Sequence, residues 1–219
     1  MSFLANQARR GVRWYDSSVV QPGAGLTLVT PAAGLAVTLA DAKLQQRIDQ
    51  SAEDSLITDW INAATAWVEN ITDYSLLTQT WKQSVDREPA GGTRPIYLAR
   101  KPLISVTSID YTDTEGNPQT FTDFQADDQS ETPRVAPDVG EVWPSVQVGK
   151  LGGLSITYQA GFGPDETTVP IDFKNAILLL VGHFYRNREA VTSGPSNQVE
   201  MTARAILAQR IGRDERVRT

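Results

Sequence analysis

The spacing of polar and apolar residues along this chain changes period twice. Between residues 38 and 71 it is helical. Thr38, with Asp41 three residues on, opens a first helix over 38–48, to which Leu39, Ala42, Leu44 and Ile48 give a partial apolar face. Ser51 with Asp54 repeats that start signal. Leu56, Ile57, Trp60, Ile61, Ala64, Trp67, Val68 and Ile71 then recur at helical intervals and predict a longer helix over 53–71. From residue 78 alternation takes over, and LTQTWKQSVDRE places Trp81, Gln83 and Val85 on one face of a half-exposed strand. Short extended segments at 95–99, 106–111, 119–124, 134–136 and 154–160 follow, with Asp113-Thr-Glu-Gly-Asn117 reading as a hairpin turn.

The helical period returns in VPIDFKNAILLLVGHFYRNRE, residues 169–189. Pro170 suits a first helical turn, Asp172 favours the positive end of the helix dipole, and Arg186 and Arg188 suit its last turn. Between them the apolar run from Ala176 to Val181, flanked by Phe173, Phe184 and Tyr185, predicts a helix buried on several sides. A polar loop then leads to a short helix over 199–211, with Met201, Ala205, Ala208 and Ile211 on one side, and a polar tail. The predicted class is α+β: a helical bundle with an inserted small antiparallel β domain, plus extended N- and C-terminal arms. The divisions are an N-terminal arm at 1–25, a helical part at 26–77, a β insertion at 78–160, the central helix at 161–193, and a C-terminal helix and tail at 194–219.

Composition narrows this little: 40% hydrophobic and 21% charged residues make an ordinary globular balance. The lack of cysteine excludes disulfides and thiolate chemistry and fits a reducing cytoplasm. No secretory leader pattern is read in the first residues. The longest apolar run falls far short of the roughly 20 residues that cross a bilayer. Charge is unevenly placed. Residues 105–141 hold nine acids against Arg134, a net −8, whereas residues 201–219 hold five arginines against two acids, a net +3. Arg9, Arg10 and Arg13 make the N-terminal arm basic, and Trp14 and Tyr15 are its candidate anchors. Two readings stand: a solvated acidic face with ordinary tails, or basic ends that dock on an acidic partner beside a face that repels DNA backbone. The arm equally fits packing against its own domain.

No catalytic constellation is present: no phosphate-cradling loop, dinucleotide fingerprint or nucleophile elbow. Gly149-Lys-Leu-Gly-Gly153 lacks the spacing and the following helix of a phosphate site and reads as a turn. His183, the single histidine, reads as a packed residue of its helix rather than a base or ligand. Asp127 and Asp128 are adjacent carboxylates in a polar segment without calcium-loop spacing and read as solvated. Catalytic, cofactor-binding and metal-ligating residues are therefore expected to be none.

The ordered segments LTLVTPA, VTLADAKLQQRID, EDSLITDWINAATAWVENITDYSLLTQTW, RPIYLARKPLISVTSIDYTD, ITYQAGFG and VPIDFKNAILLLVGHFYRNREAV resemble the head-to-tail connector (adaptor) proteins of tailed bacteriophages and gene transfer agents, over residues 26–191. The resemblance implies a non-enzymatic virion protein, assembled in the host cytoplasm as a ring, typically dodecameric, under the portal protein. A neck, stopper or tail-completion protein would follow it, and packaged DNA would cross the ring without sequence-specific binding or any membrane. A stopper or tail-completion protein of the same connector is the nearest alternative, and a carboxylate-dependent virion hydrolase the alternative from another class. The expected interface residues are Met201, Arg204, Arg210 and Arg213, laid into a portal groove by a C-terminal helix outside the folded domain, with Trp14 and Tyr15 on the N-terminal arm.

Overall fold

The computed structural model describes residues 25–89, 91–188 and 197–216, the last helix with side chains over 199–211. Four helices, α1 (Leu39–Gln46), α2 (Asp54–Thr72), α3 (Ile171–Arg186) and α4 (Asn197–Arg216), surround one apolar cluster. Eight strands, β1 (Gly25–Thr30), β2 (Gln79–Val85), β3 (Ile96–Tyr97), β4 (Leu103–Thr112), β5 (Pro118–Thr120), β6 (Phe124–Asp127), β7 (Arg134–Pro137) and β8 (Leu154–Ala160), enclose a second. They form a five-stranded sheet ordered β1-β2-β8-β4-β5 and a three-stranded sheet ordered β3-β7-β6, antiparallel throughout. The mixed class follows the two changes of period. Within the segment assigned to the helical part, residues 25–30 form β1, which pairs with β2, so the sheet reaches across the expected boundary at residue 78.

Each helix shows its cause in the sequence. The Asp41 amide donates to the Thr38 hydroxyl at 3.0 Å and caps α1, and Arg47, in the left-handed region, ends it. Ser51 does not repeat that cap. Glu53 precedes α2 with φ −109° and ψ 10° and makes no side-chain cap, because the chain enters the helix through a turn in which the Asp54 amide donates to the Ser51 carbonyl. The acids there hold ion pairs instead, Asp54 with Lys43 at 2.7 Å and Glu53 with Arg188 at 2.6 Å.

The α3 helix is the centre of the helical layer and packs on α1, α2 and α4. Phe173, Ala176, Ile177, Leu180 and Val181 are buried, while Leu178 and Leu179 are half-buried. At Gly182 a Cβ would press on the Gln46 side-chain amide of the α1 end, which would have to move aside. The turn from β8 into α3 requires glycine: Gly161 has φ 146°, and a Cβ there would strike the Leu77 backbone.

The C-terminal helix corrects the sequence expectation. It is not an appendage, because Ala203 and Leu207 are fully buried in the helical cluster and Arg210 pairs with Asp172 of α3 at 2.8 Å. The stripe of Met201, Ala205 and Ala208 faces outward instead, with Met201 67% exposed. The low apolar content of α4 hid this: Val199, Ile206 and Ile211 pack partly buried beside Ala203 and Leu207, so Ile211 faces the cluster and not the outward stripe. Among the described residues no helix is long and apolar enough to cross a membrane.

Truncating the buried side chains should therefore report both helices as core. Leu180→Ala and Leu207→Ala are each expected to cost about 2–5 kcal/mol in chemical denaturation, and half-buried Leu179→Ala less. A loss below about 1 kcal/mol at Leu207 would return α4 to the periphery.

Candidate interaction surfaces

The helical and β clusters meet where α2 ends and β2 begins. Glu69, in the last turns of α2, accepts the Leu76 amide at 2.8 Å and the Gln79 side-chain amide at 3.0 Å. Burial at this junction raises its pKa above the ordinary 4.5, against the opposing pull of those hydrogen bonds and of Arg100. Arg100 donates to the Glu69 carbonyl at 2.9 Å and lies 4.7 Å over the Trp81 ring, whose indole N–H donates to Ser75 Oγ at 3.0 Å. The backbones interlock here as well: Ser75 N–H donates to the Lys101 carbonyl, Gly161 N–H to Pro102, and Thr78 N–H to Gly163. This arrangement fixes the two layers against one another. A cavity of about 180 Å³, lined by Glu69 and Gln79 with Asn62, Thr65 and Leu77, opens beside it.

The titratable residues singled out in the sequence are occupied by structural tasks. Asp127 accepts the Ser130 hydroxyl at 2.6 Å and Arg134 Nε at 3.0 Å, and these bonds, that from Ser130 foremost, hold its carboxyl below the usual range. Its neighbour Asp128 bonds to Gln129, so the two do not form an acid pair. Asp113 closes the β4–β5 turn by accepting the Asn117 and Glu115 amides, which lowers its pKa. In the 149–153 turn, Gly152 N–H donates to the Asp86 carboxylate and does not join a phosphate cradle. His183 is half-buried, with Nδ1 3.1 Å from the Asn187 side-chain amide. Asp123, Asp128, Asp138 and Glu141 are exposed and make this side of the β layer acidic.

The structure separates the expected interface residues. Met201 and Arg204 are exposed on the outer face of α4, with the Arg204 guanidinium 5.6 Å from the Trp67 ring centre. Arg210 is engaged inward, with Asp172 and over the Phe173 ring at 5.4 Å. The Arg213 side chain and both Trp14 and Tyr15 lie outside the described residues.

Two surfaces escaped the sequence reading. All six residues of β1 are exposed, among them Leu26, Leu28 and Val29. In the loops between β7 and β8, Val139, Val142, Val148 and Leu151 stand out by 96%, 56%, 98% and 82%. The available signal was an aliphatic residue beside glycine in Val139-Gly140 and Val148-Gly149, where a turn lifts the side chain off the surface.

The fold and the chain pattern have clear likenesses. The pattern of the family described as head completion protein matches residues 36–207, which takes in both layers. No curated protein matches the chain. Among solved structures it is similar to a chain in the virion of a native gene transfer agent particle, at 22% identity and TM-score 0.68, covering 84% of this chain and 93% of that one. It is likewise similar to a chain in the neck of the empty particle computed with C6 symmetry, at 22% identity and TM-score 0.70, covering 85% and 94%. A chain in the native neck computed with C12 symmetry matches at 21% identity and TM-score 0.64, covering 85% and 94%. At these identities the three share the fold.

Glu69 gives the junction a pH signature. With its folded pKa raised, the native state binds a proton more tightly than the unfolded chain, so its stabilising contribution is present at low pH. That contribution is lost as pH rises through 4.5 to the raised folded value. Glu69→Gln should therefore gain stability relative to wild type as pH rises above 4.5. Glu69→Ala, which leaves the Leu76 amide unpaired, should lose about 1–3 kcal/mol. Parallel stability–pH curves for wild type and Glu69→Gln would contradict the assignment.

Proposed function

The chain belongs to the head completion protein family, and from that premise we propose that it is a structural, non-enzymatic connector of a virion or gene transfer agent particle. It forms a homo-oligomeric ring between the portal protein of the DNA-filled head and the next neck or tail component. The observation that carries this reading is the family match across residues 36–207, which includes the helical layer, the junction and the β layer together. The likeness to chains in necks of C6 and C12 symmetry supports a ring, and a dodecamer is the reading we take.

The geometry suits that role. A connector transmits load between rings and needs layers that do not slide, which the Glu69–Arg100–Trp81 junction supplies. The exposed acids of the β layer repel the phosphate backbone of passing DNA, so transit proceeds without adhesion or base reading. We assign portal contact to the outward face of α4, where Met201, Ala205 and Ala208 form a narrow apolar stripe beside Arg204. Arg210 supports that face from within by tying α4 to α3. Trp14, Tyr15 and Arg213 belong to the same attachment reading through their segments. A carboxylate-dependent hydrolase is not favoured, since Asp127 is engaged by Ser130 and Arg134 and Asp128 by Gln129, and the two form no acid pair.

Purified chain mixed with its portal should form a ring of one copy per portal subunit in native mass spectrometry and negative-stain images. The double variant Met201→Asp, Arg204→Glu should lose at least about tenfold in portal affinity, roughly 1.4 kcal/mol, with an unchanged melting temperature. Truncation after residue 194 should unfold the domain, because it removes Ala203 and Leu207. A chain that stays monomeric with portal present would overturn the reading, and full affinity in the double variant would overturn the α4 assignment.

A further inference from the structure

The cavity beside the junction is bordered by acceptors that lack donors. Gln79, 7% exposed, turns its side-chain N–H to Glu69, which leaves its Oε1 buried without a partner. Glu69 Oε1 takes the Leu76 amide and Gln79, whereas Oε2 receives only the Gln79 amide, at 3.4 Å. The Thr65 hydroxyl donates to the Ile61 carbonyl at 2.8 Å, so its remaining capacity is to accept. All three side chains line the cavity, and Ala32, Ala66 and Leu77 add apolar wall. One of the three carries a charge, and burial there outweighs the pull of Arg100. Such a space suits an alkyl stem that ends in an ammonium, with methylenes on the wall and three N–H donors for the oxygens. A guanidinium suits it less, because its two-pronged grip needs both carboxylate oxygens and Oε1 is already doubly engaged.

A lysine of this kind stands at the other end of the same strand. The turn before β8 holds out Val148-Gly149-Lys150-Leu151, with Lys150 exposed beside Val148 and Leu151. Among the described residues no acid pairs with the Lys150 ammonium. By contrast Lys43 holds Asp54, Lys101 is buried over the Tyr74 ring, and Lys82 lies in the middle of β2. The sheet register separates loop from cavity. Val85 lies opposite Leu154 and the Gly152 amide bonds Asp86 at the loop end, while Gln79 begins β2 at the cavity. The strand between them spans about 20 Å at about 3.3 Å per residue, so Lys150 cannot fill the cavity of its own chain. Resting on the ring reading above, we propose that Lys150 of one copy enters the Glu69 cavity of the next, with Val148 and Leu151 against its apolar wall. The contact is heterologous, a loop on one side and a cavity on the other, which is the form that closes a ring of many copies. It accounts together for aliphatic side chains standing in water around a cation and for a buried amide oxygen without a donor.

The absence of cysteine allows a direct test in the full chain. Chains carrying Asn62→Cys at the cavity are mixed in equal amounts with chains carrying Val148→Cys or Leu151→Cys, assembled on portal, and oxidised. Since each chain holds one thiol, a link from loop to cavity appears only as a disulfide between the two kinds of chain, and that heterodimer is the expected result. In parallel, Lys150→Gln and Glu69→Gln should each raise the concentration for half-assembly at least about tenfold, because each leaves a desolvated partner behind. The double variant should be no worse than either single one, as directly coupled positions require. An unfolding curve of free Glu69→Gln checks that the fold is kept. Rings that assemble normally without a heterodimer at either loop position would overturn the contact and leave the ring reading standing. Weaker assembly in Glu69→Gln but not in Lys150→Gln would also overturn it, by giving the cavity to a cation from another partner. Failure of wild-type chains to form rings on portal would overturn the connector reading and this contact with it.

Discussion

The structure depends on a carboxylate placed where two hydrophobic layers meet. Glu69 ends the apolar face of α2 and turns toward the chain that follows it, taking the Leu76 amide and the Gln79 side chain. Without it, the backbone between α2 and β2 would enter the interior with an unpaired donor. Arg100, arriving from the β layer, grips the carbonyl of the same residue and covers Trp81. The carboxylate takes two donors at once, while Gln79 Oε1 stays buried without a partner, so the network is satisfied at Glu69 and not throughout. The burial that raises the Glu69 pKa is the cost of holding the layers together, and the two cores share it.

From this joint outward the molecule divides its tasks. The helical layer is held by α3, which enters through the close approach of Gly161 to Leu77 and leaves toward α4. The α4 helix has two faces: Ala203 and Leu207 hold it down, and Met201, Ala205 and Ala208 look out. A docking face on a packed helix loses less entropy on binding than one on a free tail, so each contact counts for more. The β layer presents acids outward and projecting aliphatic side chains in the loops between β7 and β8. In the connector reading proposed above, these separate surfaces meet different neighbours.

Helices and strands were legible because their periods are clean. Trp81, Gln83 and Val85 face inward as alternation requires, and Phe173, Ala176, Ile177, Leu180 and Val181 lie in the core as a helix buried on one broad face requires. The Thr38 cap was legible for the same local reason, whereas Ser51 showed the same spacing without the backbone geometry that lets a hydroxyl cap. Long-range pairing was not legible. Nothing local to GLTLVT says that it joins a strand beyond two helices, and only the ladder to β2 reveals it. The seating of α4 was hidden by its polar composition, and Arg210 was read as a docking cation because its partner Asp172 lies 38 residues earlier. Of the expected interface residues, the outward stripe was visible as a pattern, while the inward pairing of Arg210 required the fold.

The central claim is that assembly uses the outer surfaces of a domain whose junction is already set. Hydrogen–deuterium exchange on the free chain and on the portal-bound ring compares these regions directly. The account expects new protection in the loop at 147–152 and along α4, with the amides of 72–81 slow and unchanged in both states. Protection that arises at the junction on assembly, with that loop and α4 exchanging as before, would contradict it.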